Sequence, residues 1–222
     1  MAPDREREKR TAAEAAALLV EDSMTVGLGT GTTVAYLLPA LARRHLSLRC
    51  VATSPATGRR ATELGLRVEP FTADRLDLAI DGADQIGADG WLVKGGGGAH
   101  TREKLVATAA DAFVVIADST KPVDALHPPV PVEVLAFGAR ATLDRIGAVL
   151  RPGAPPTPDG GLLADVVGPL DDPAGLADAL DRTPGVVGHG LFPPALVRTV
   201  LIGRGDRVER LDRPGAPDTR AR

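Results

Sequence analysis

Aromatic side chains are scarce in this sequence: four Phe, one Tyr and one Trp make up 3% of 222 residues. A surface that stacks the bases of single-stranded nucleic acid needs more rings than that. Cysteine is rarer still. Cys50 stands alone, so no disulfide forms within the chain, and nothing in the pattern suggests a secreted scaffold. Neither sign of charge dominates, since 26 Lys and Arg against 29 Asp and Glu leave a net charge of −3. No global positive field therefore draws the chain to phosphate backbones. Long apolar runs are also missing. The opening MAPDREREKRTAAEAAALLV is charged and then Ala-rich, without the apolar centre of a signal peptide, and no stretch approaches membrane-spanning length. These absences predict a soluble, cytoplasmic protein that engages neither nucleic acid nor membrane.

What is present is an ordinary apolar fraction of 44%, much of it Ala, Val and Leu. A chain of this length suits one fair-sized domain, or a main domain with a smaller one appended, and buries roughly 70% of its unfolded surface. The first half alternates helix and strand signals. Glu6–Leu19 reads as a helix with one apolar face, Met24–Gly29 as a strand, and Val34–Ala42 as a helix. Arg49–Ser54 is a strand, and Pro55 opens a helix that ends near Gly65. Arg67–Pro70, Leu76–Ile80, Trp91–Lys94 and Phe113–Ala117 are further strands, with a helix from about Thr101 to Asp111. Short apolar strands alternating with helices predict a parallel sheet covered on both faces, an α/β fold.

Composition shifts at Pro122–Pro131, where four prolines cluster. A boundary there predicts a main domain of residues 1–127 with 197–222, and a smaller α+β domain of residues 128–196. Within the latter, Val132–Gly138, Leu162–Val167 and Gly185–Phe192 read as strands. Ala141–Leu150 and Pro173–Arg182 read as helices, with a Pro- and Gly-rich loop at Arg151–Gly161. Val197–Gly203 is a strand free to return to the first sheet. From about Asp206 the tail is charged and is expected to fray.

The polar segments follow the carboxyl ends of predicted strands, the edge at which open α/β sheets bind ligands. Thr30, Gly31, Thr32 and Thr33 come first. A dinucleotide fingerprint fails because the sixth position from Gly27 is Thr32, and no Gly-Lys-Ser/Thr follows for a Walker loop. A glycine turn with three hydroxyls at a helix start suits an anion such as phosphate, or is a plain capped turn. Next come Asp81, Gly82, Ala83 and Asp84. A tight turn there would aim both carboxylates at one cleft and allow acid and base roles, or form a solvated turn. A metal site lacks support, because His45, His100, His127 and His189 are scattered. Lys94 precedes Gly95, Gly96, Gly97 and Gly98. Four glycines are entropically costly, and their amides together with an ammonium suit an oxyanion; the bland reading is a loop tip. Glu103 begins the next helix, with Thr101 as its cap. Lys121 ends the run Asp118-Ser-Thr-Lys and meets either an anion or solvent, and Lys9 on the first helix is equally open.

On these residues the chain resembles the A-type ribose-5-phosphate isomerase family. The matching segments are VGLGTGTTVAYLL, TSPAT, AIDGADQI, LVKGGGGAHTREKL, VVIADSTKPVDAL, PVPVEV and PGVVGHGLF, in family order from about Val26 to Gly203. The resemblance implies a Rossmann-like main domain with a smaller, ferredoxin-like α+β domain, and no metal or organic cofactor. It implies reversible isomerisation of ribose 5-phosphate and ribulose 5-phosphate in the non-oxidative pentose phosphate pathway, and a homodimer or higher homo-oligomer. By the same resemblance Glu103 is the base, Asp81 assists ring opening and Asp84 positions hydroxyls. Lys94 with the glycine backbone stabilises an enediolate, while Thr30–Thr33 and Lys121 hold the substrate's ends. The family usually reads KGGGAALTREK, so Gly98 and His100 are departures, as is the segment after Phe192. A sugar-phosphate sensor of the same fold, without catalysis, is the alternative from another class. A CoA transferase of related fold would use a Glu as nucleophile.

Overall fold

The computed structural model describes residues 4–72 and 75–212. The chain runs through α1 (Arg5–Ala17), β1 (Thr25–Leu28), α2 (Thr32–Ala42), β2 (Arg49–Ala52), α3 (Pro55–Glu63) and β3 (Leu78–Gly82). The short strands β4 (Gln85–Gly87) and β5 (Leu92–Val93) lead to α4 (His100–Ala109) and β6 (Phe113–Asp118). Then come β7 (Pro122–Val123), β8 (Val130–Val134), α5 (Ala139–Ile146), β9 (Ala148–Leu150) and β10 (Leu162–Val166). The chain ends through α6 (Pro173–Asp181), β11 (Val186–His189), β12 (Leu191–Phe192), β13 (Thr199–Arg204) and β14 (Arg207–Asp212).

Two compact units result. The first comprises Met1–Gly82, Arg102–Lys121 and Ala195–Arg222. Its sheet has the order β14-β13-β6-β3-β1-β2, parallel except for β14 at one edge. The apolar strands predict this. β1 and β6 are buried along their whole length, as expected of a sheet covered on both faces. The alanines of α1 do the covering: Ala12, Ala13, Ala16 and Ala17 are buried, and their small side chains let the helix lie close to the sheet. Asp4 starts that helix by accepting from the Arg7 amide at 3.2 Å. Ser54 starts α3 in the same way, accepting from the Thr57 amide at 3.1 Å, with Pro55 in the first turn. Cys50 is a core residue of β2, and burial pushes its thiol up to about 11.

The second unit comprises Ala83–Thr101 and Pro122–Pro194. β8, α5, β9, β10, α6 and β11 form a βαββαβ module whose antiparallel sheet has the order β11-β8-β10-β9, the ferredoxin-like arrangement. A smaller sheet, β12-β5-β4-β7, completes the unit. The division differs from the sequence-based boundaries of 1–127 with 197–222 and 128–196. Residues 83–101 belong with the second unit because β4 and β5 pair with β7 and β12.

Four element assignments change. Arg67–Pro70 is no strand; only Val68 bridges Cys50. The helix placed over Ala141–Leu150 stops at Gly147, whose left-handed φ of 63° ends α5, and Ala148–Leu150 is strand β9. Gly185–Phe192 splits at Gly190 into strands of two different sheets. The tail does not fray at Asp206, because Arg207–Asp212 pairs antiparallel with β13; residues 213–222 lie outside the described ones.

Candidate active site

The strand order of the parallel sheet reverses between β1 and β3. β2 lies on one side of β1 and β3 on the other, which makes the carboxyl ends of β1 and β3 the topological switch point. There the Thr30 amide donates to Asp81 Oδ1 at 3.0 Å, and the Gly82 amide donates to the same oxygen at 2.7 Å. Asp81 is 3% exposed, so this carboxylate is part of the framework between two strand ends. Gly29 packs flat against it: a Cβ at Gly29 would lie 1.9 Å from Asp81 Oδ1. The TSPAT stretch braces the same turn. The Thr30 and Thr53 hydroxyls meet at 2.8 Å, and the Thr57 hydroxyl donates to the Gly29 carbonyl at 3.0 Å. Gly31 caps α2 without a side-chain bond, and α2 begins at Thr32, two residues earlier than the pattern predicts. Thr32 and Thr33 are thus first-turn residues, Thr32 exposed and Thr33 buried, beside amides suited to an anion.

Glu103 belongs to the same sheet edge. α4 links the parallel neighbours β3 and β6, so it begins at their carboxyl ends. Val106 and Ala107, three and four residues after Glu103, are buried, and a Cβ on Gly27 of β1 would lie 2.3 Å from Val106 Cγ1. Glu103 shares that sheet-facing side and is 6% exposed. A first-turn Glu is ordinarily a solvated one, and this Glu is not.

The expected tight turn between Asp81 and Asp84 is absent. β3 continues through Gly82, and the boundary between the compact units falls between Gly82 and Ala83. In the second unit Asp84 is exposed and accepts from the Gly96 amide at 2.8 Å. Lys94 is 2% exposed. Its amide donates to the Gly190 carbonyl at 2.8 Å, and its ammonium sits 5.4 Å from the centre of the Phe192 ring. Gly95 (φ +101°) and Gly98 (φ +76°) turn the loop through left-handed conformations, while Gly96 and Gly97 are exposed. His100 is the first residue of α4, and it is fully buried against Gly95. Thr101 lies inside α4 and does not cap it; its hydroxyl donates to Glu133, which also accepts from the Thr157 hydroxyl at 2.6 Å.

Lys121 follows β6 in the first unit, its amide donating to the Asp118 carbonyl at 3.3 Å. The loop before it is pinned by Glu8, a residue that sequence patterning does not single out. Glu8 accepts from the Ser119 amide at 3.1 Å, the Ser119 hydroxyl at 2.6 Å and the Gly205 amide at 3.1 Å. Burial pushes its carboxyl up, but these donors outweigh burial and leave it below the usual 4.5. A depressed carboxylate stabilises the fold fully above pH 4.5, and that contribution is lost as pH falls. Glu8→Ala is expected to cost about 2–4 kcal/mol at pH 7, because three charge-assisted bonds are lost and the half-buried Ser119 and Gly205 amides lose their acceptor. Urea unfolding across pH should show the gap between wild type and variant closing toward pH 3. A gap that stays constant would mean that packing, not charge, is what Glu8 contributes. The adjacent Lys9 is ion-paired to Glu6 at 2.9 Å.

Among the described residues, no group of three or more His, Cys, Asp or Glu side chains is arranged to hold a metal ion. The family model described as ribose 5-phosphate isomerase A (phosphoriboisomerase A) matches residues 49–207. A ribose-5-phosphate isomerase A of Halobacterium salinarum is 43% identical over 217 residues, covering 92% of this chain and 96% of that one. The crystal structure of ribose 5-phosphate isomerase A from Neisseria gonorrhoeae superposes with a TM-score of 0.90 at 30% identity, over 95% of this chain and 98% of that one. A D-ribose-5-phosphate isomerase solved with phospho-erythronic acid gives a TM-score of 0.88 at 32% identity, over 95% and 100% of the two chains.

Proposed function

The chain belongs to the ribose 5-phosphate isomerase A family, and from that membership we infer that it is an aldose–ketose isomerase interconverting D-ribose 5-phosphate and D-ribulose 5-phosphate. Glu103 takes the proton from C2 of the open-chain aldose, giving an enediolate, and returns it to C1, while the proton of the C2 hydroxyl passes to O1. The observation that carries this role is a buried carboxylate on the sheet-facing side of α4, one helical turn from its start at the carboxyl edge. A base there is shielded from competing water and anchored on a rigid element. The Lys94 ammonium and the glycine amides stabilise the enediolate oxygen as charge develops. Asp81 assists ring opening and Asp84 orients hydroxyls. Thr30, Gly31, Thr32 and Thr33, with the helix start behind them, and Lys121 hold the two ends of the substrate. Phospho-erythronic acid, found with a related isomerase, is a four-carbon acid phosphate whose carboxylate imitates an enediolate, and it should inhibit this protein competitively.

The parallel-sheet unit supplies Thr30–Thr33, Asp81, Glu103 and Lys121 to this reading, and the second unit supplies Asp84, Lys94 and the glycines. A cytoplasmic location and a place in the non-oxidative pentose phosphate pathway fit a sugar-phosphate isomerase. A homodimer or larger homo-oligomer fits the apolar surface of the second unit, where Phe137 is 94% exposed and Leu135 half exposed; light scattering tests it. The decisive assay is incubation with ribose 5-phosphate and detection of ketose. Well-folded protein that binds the sugar phosphate without turnover would instead be a sensor.

A further inference from the structure

Arg151 lies at the start of the Pro- and Gly-rich loop, outside every segment that sequence patterning marks as functional. Its side chain is only 21% exposed and is spent entirely inside the second unit. Asp165 on β10 grips one side of the guanidinium: Nε donates to Oδ2 at 3.0 Å and Nη2 to Oδ1 at 2.6 Å. That bidentate pair fixes the plane of the guanidinium and raises the arginine's pKa further. The remaining nitrogen, Nη1, donates to two backbone carbonyls at once, Gly95 at 3.2 Å and Gly96 at 3.0 Å. These are the first two glycines after Lys94.

In a trans peptide the carbonyl and the following N–H point in opposite directions. Holding the Gly95 carbonyl therefore turns the Gly96 amide away from Arg151, toward Asp84 Oδ2, where it is found at 2.8 Å. Holding the Gly96 carbonyl turns the Gly97 amide away in the same manner, at a position that is solvent-exposed. Successive glycines have no intrinsic preference for these peptide orientations. A loop of four needs an outside restraint if its amides are to meet an oxyanion without reorganising.

We propose that Arg151, locked by Asp165, is a positioning residue that sets the peptide planes of the Gly95–Gly97 loop, holding the Gly96 amide on Asp84 and aiming the Gly97 amide for the isomerisation. This rests on the isomerase reading above and extends it to a residue that acts through the loop.

The test is steady-state kinetics with ribose 5-phosphate on Arg151→Lys, Arg151→Ala and Asp165→Asn, each with a melting temperature. Losing an oxyanion donor outright costs on the order of a hundredfold to a thousandfold in kcat. A donor that must reorient in each cycle is expected to cost about tenfold to a hundredfold. KM should move less than threefold, because the loop acts on the charge that develops during reaction. Lysine reaches one carbonyl but cannot grip Asp165 in the same plane, so Arg151→Lys should be impaired although its charge is kept. Asp165→Asn, with Arg151 intact, should lose kcat in the same direction. Variants that melt within a few degrees of wild type and keep full kcat would overturn the proposal. So would a loss confined to KM, or a kcat loss that merely follows the fraction unfolded. Inactive wild-type protein would overturn the isomerase reading itself, a result distinct from any of these.

Discussion

Glu103→Gln is expected to lower kcat by roughly a hundredfold to ten-thousandfold, the usual worth of a positioned general base. KM for ribose 5-phosphate should stay within a few fold. The substitution is isosteric, and the surrounding apolar face of α4, with Val106 and Ala107 buried against the sheet, is untouched. Melting temperature should therefore change little, which separates chemistry from folding. A second readout is sharper than kcat. In deuterated water the wild-type protein should wash deuterium into C2 of recovered ribose 5-phosphate, since the proton passes through a carboxyl that exchanges with solvent. The glutamine variant should show no such label above the uncatalysed background. Near-normal labelling by the variant would show that another group is the base and would remove Glu103 from the mechanism.

The parts of this site that could be read in the sequence are those set by local rules. Short apolar runs such as Val26–Gly29 and Leu78–Ile80, followed at once by polar residues, mark strand ends at a sheet edge, and β1, β3 and β6 place Thr30, Asp81 and Asp118 there. Ser54-Pro55 announces the start of α3 and is found there. What spacing could not supply was role, and for that the family resemblance was needed. Most of what the sequence hides has one physical cause, a dependence on partners distant in the chain. Glu8 is an ordinary helix residue until Ser119 and Gly205 are brought to it. Arg151 is a loop residue until Gly95, 56 positions earlier, presents its carbonyl. Arg207–Asp212 alternates charged and apolar residues weakly, as an edge strand of a covered sheet does, and alone it reads as a tail. The α5–β9 boundary is different in kind: Gly147 was a legible stop, and the apolar run beyond it masked that signal.

Gly190→Ala is expected to have a large structural effect for a single methyl group. A Cβ there would lie 2.0 Å from the Lys94 carbonyl oxygen, 3.2 Å from the Lys94 carbonyl carbon and 3.1 Å from Pro131 Cδ. The nearest obstacle is backbone and has no rotamer in which to move aside. Nor is the approach incidental. The Lys94 amide donates to the Gly190 carbonyl at 2.8 Å, and the Gly190 amide to the Pro131 carbonyl at 2.7 Å, so Gly190 ties the residue after β5 to the start of β8. A methyl must push that contact open, straining the backbone and weakening both bonds, for about 2–4 kcal/mol. In a chain of this size that corresponds to a melting temperature lower by roughly 5–15 °C. Gly168→Ala, where a Cβ meets nothing within 4 Å, is the matched control and should leave both stability and rate near wild type. Activity should fall further than stability explains. Lys94 keeps its charge in Gly190→Ala, but its backbone is displaced from the carbonyl that fixes where the side chain begins, and catalytic geometry tolerates little displacement. At a temperature where the variant is fully folded, kcat should therefore drop at least tenfold. Unchanged melting and unchanged kcat would show that the Lys94 backbone is held by something other than this close approach.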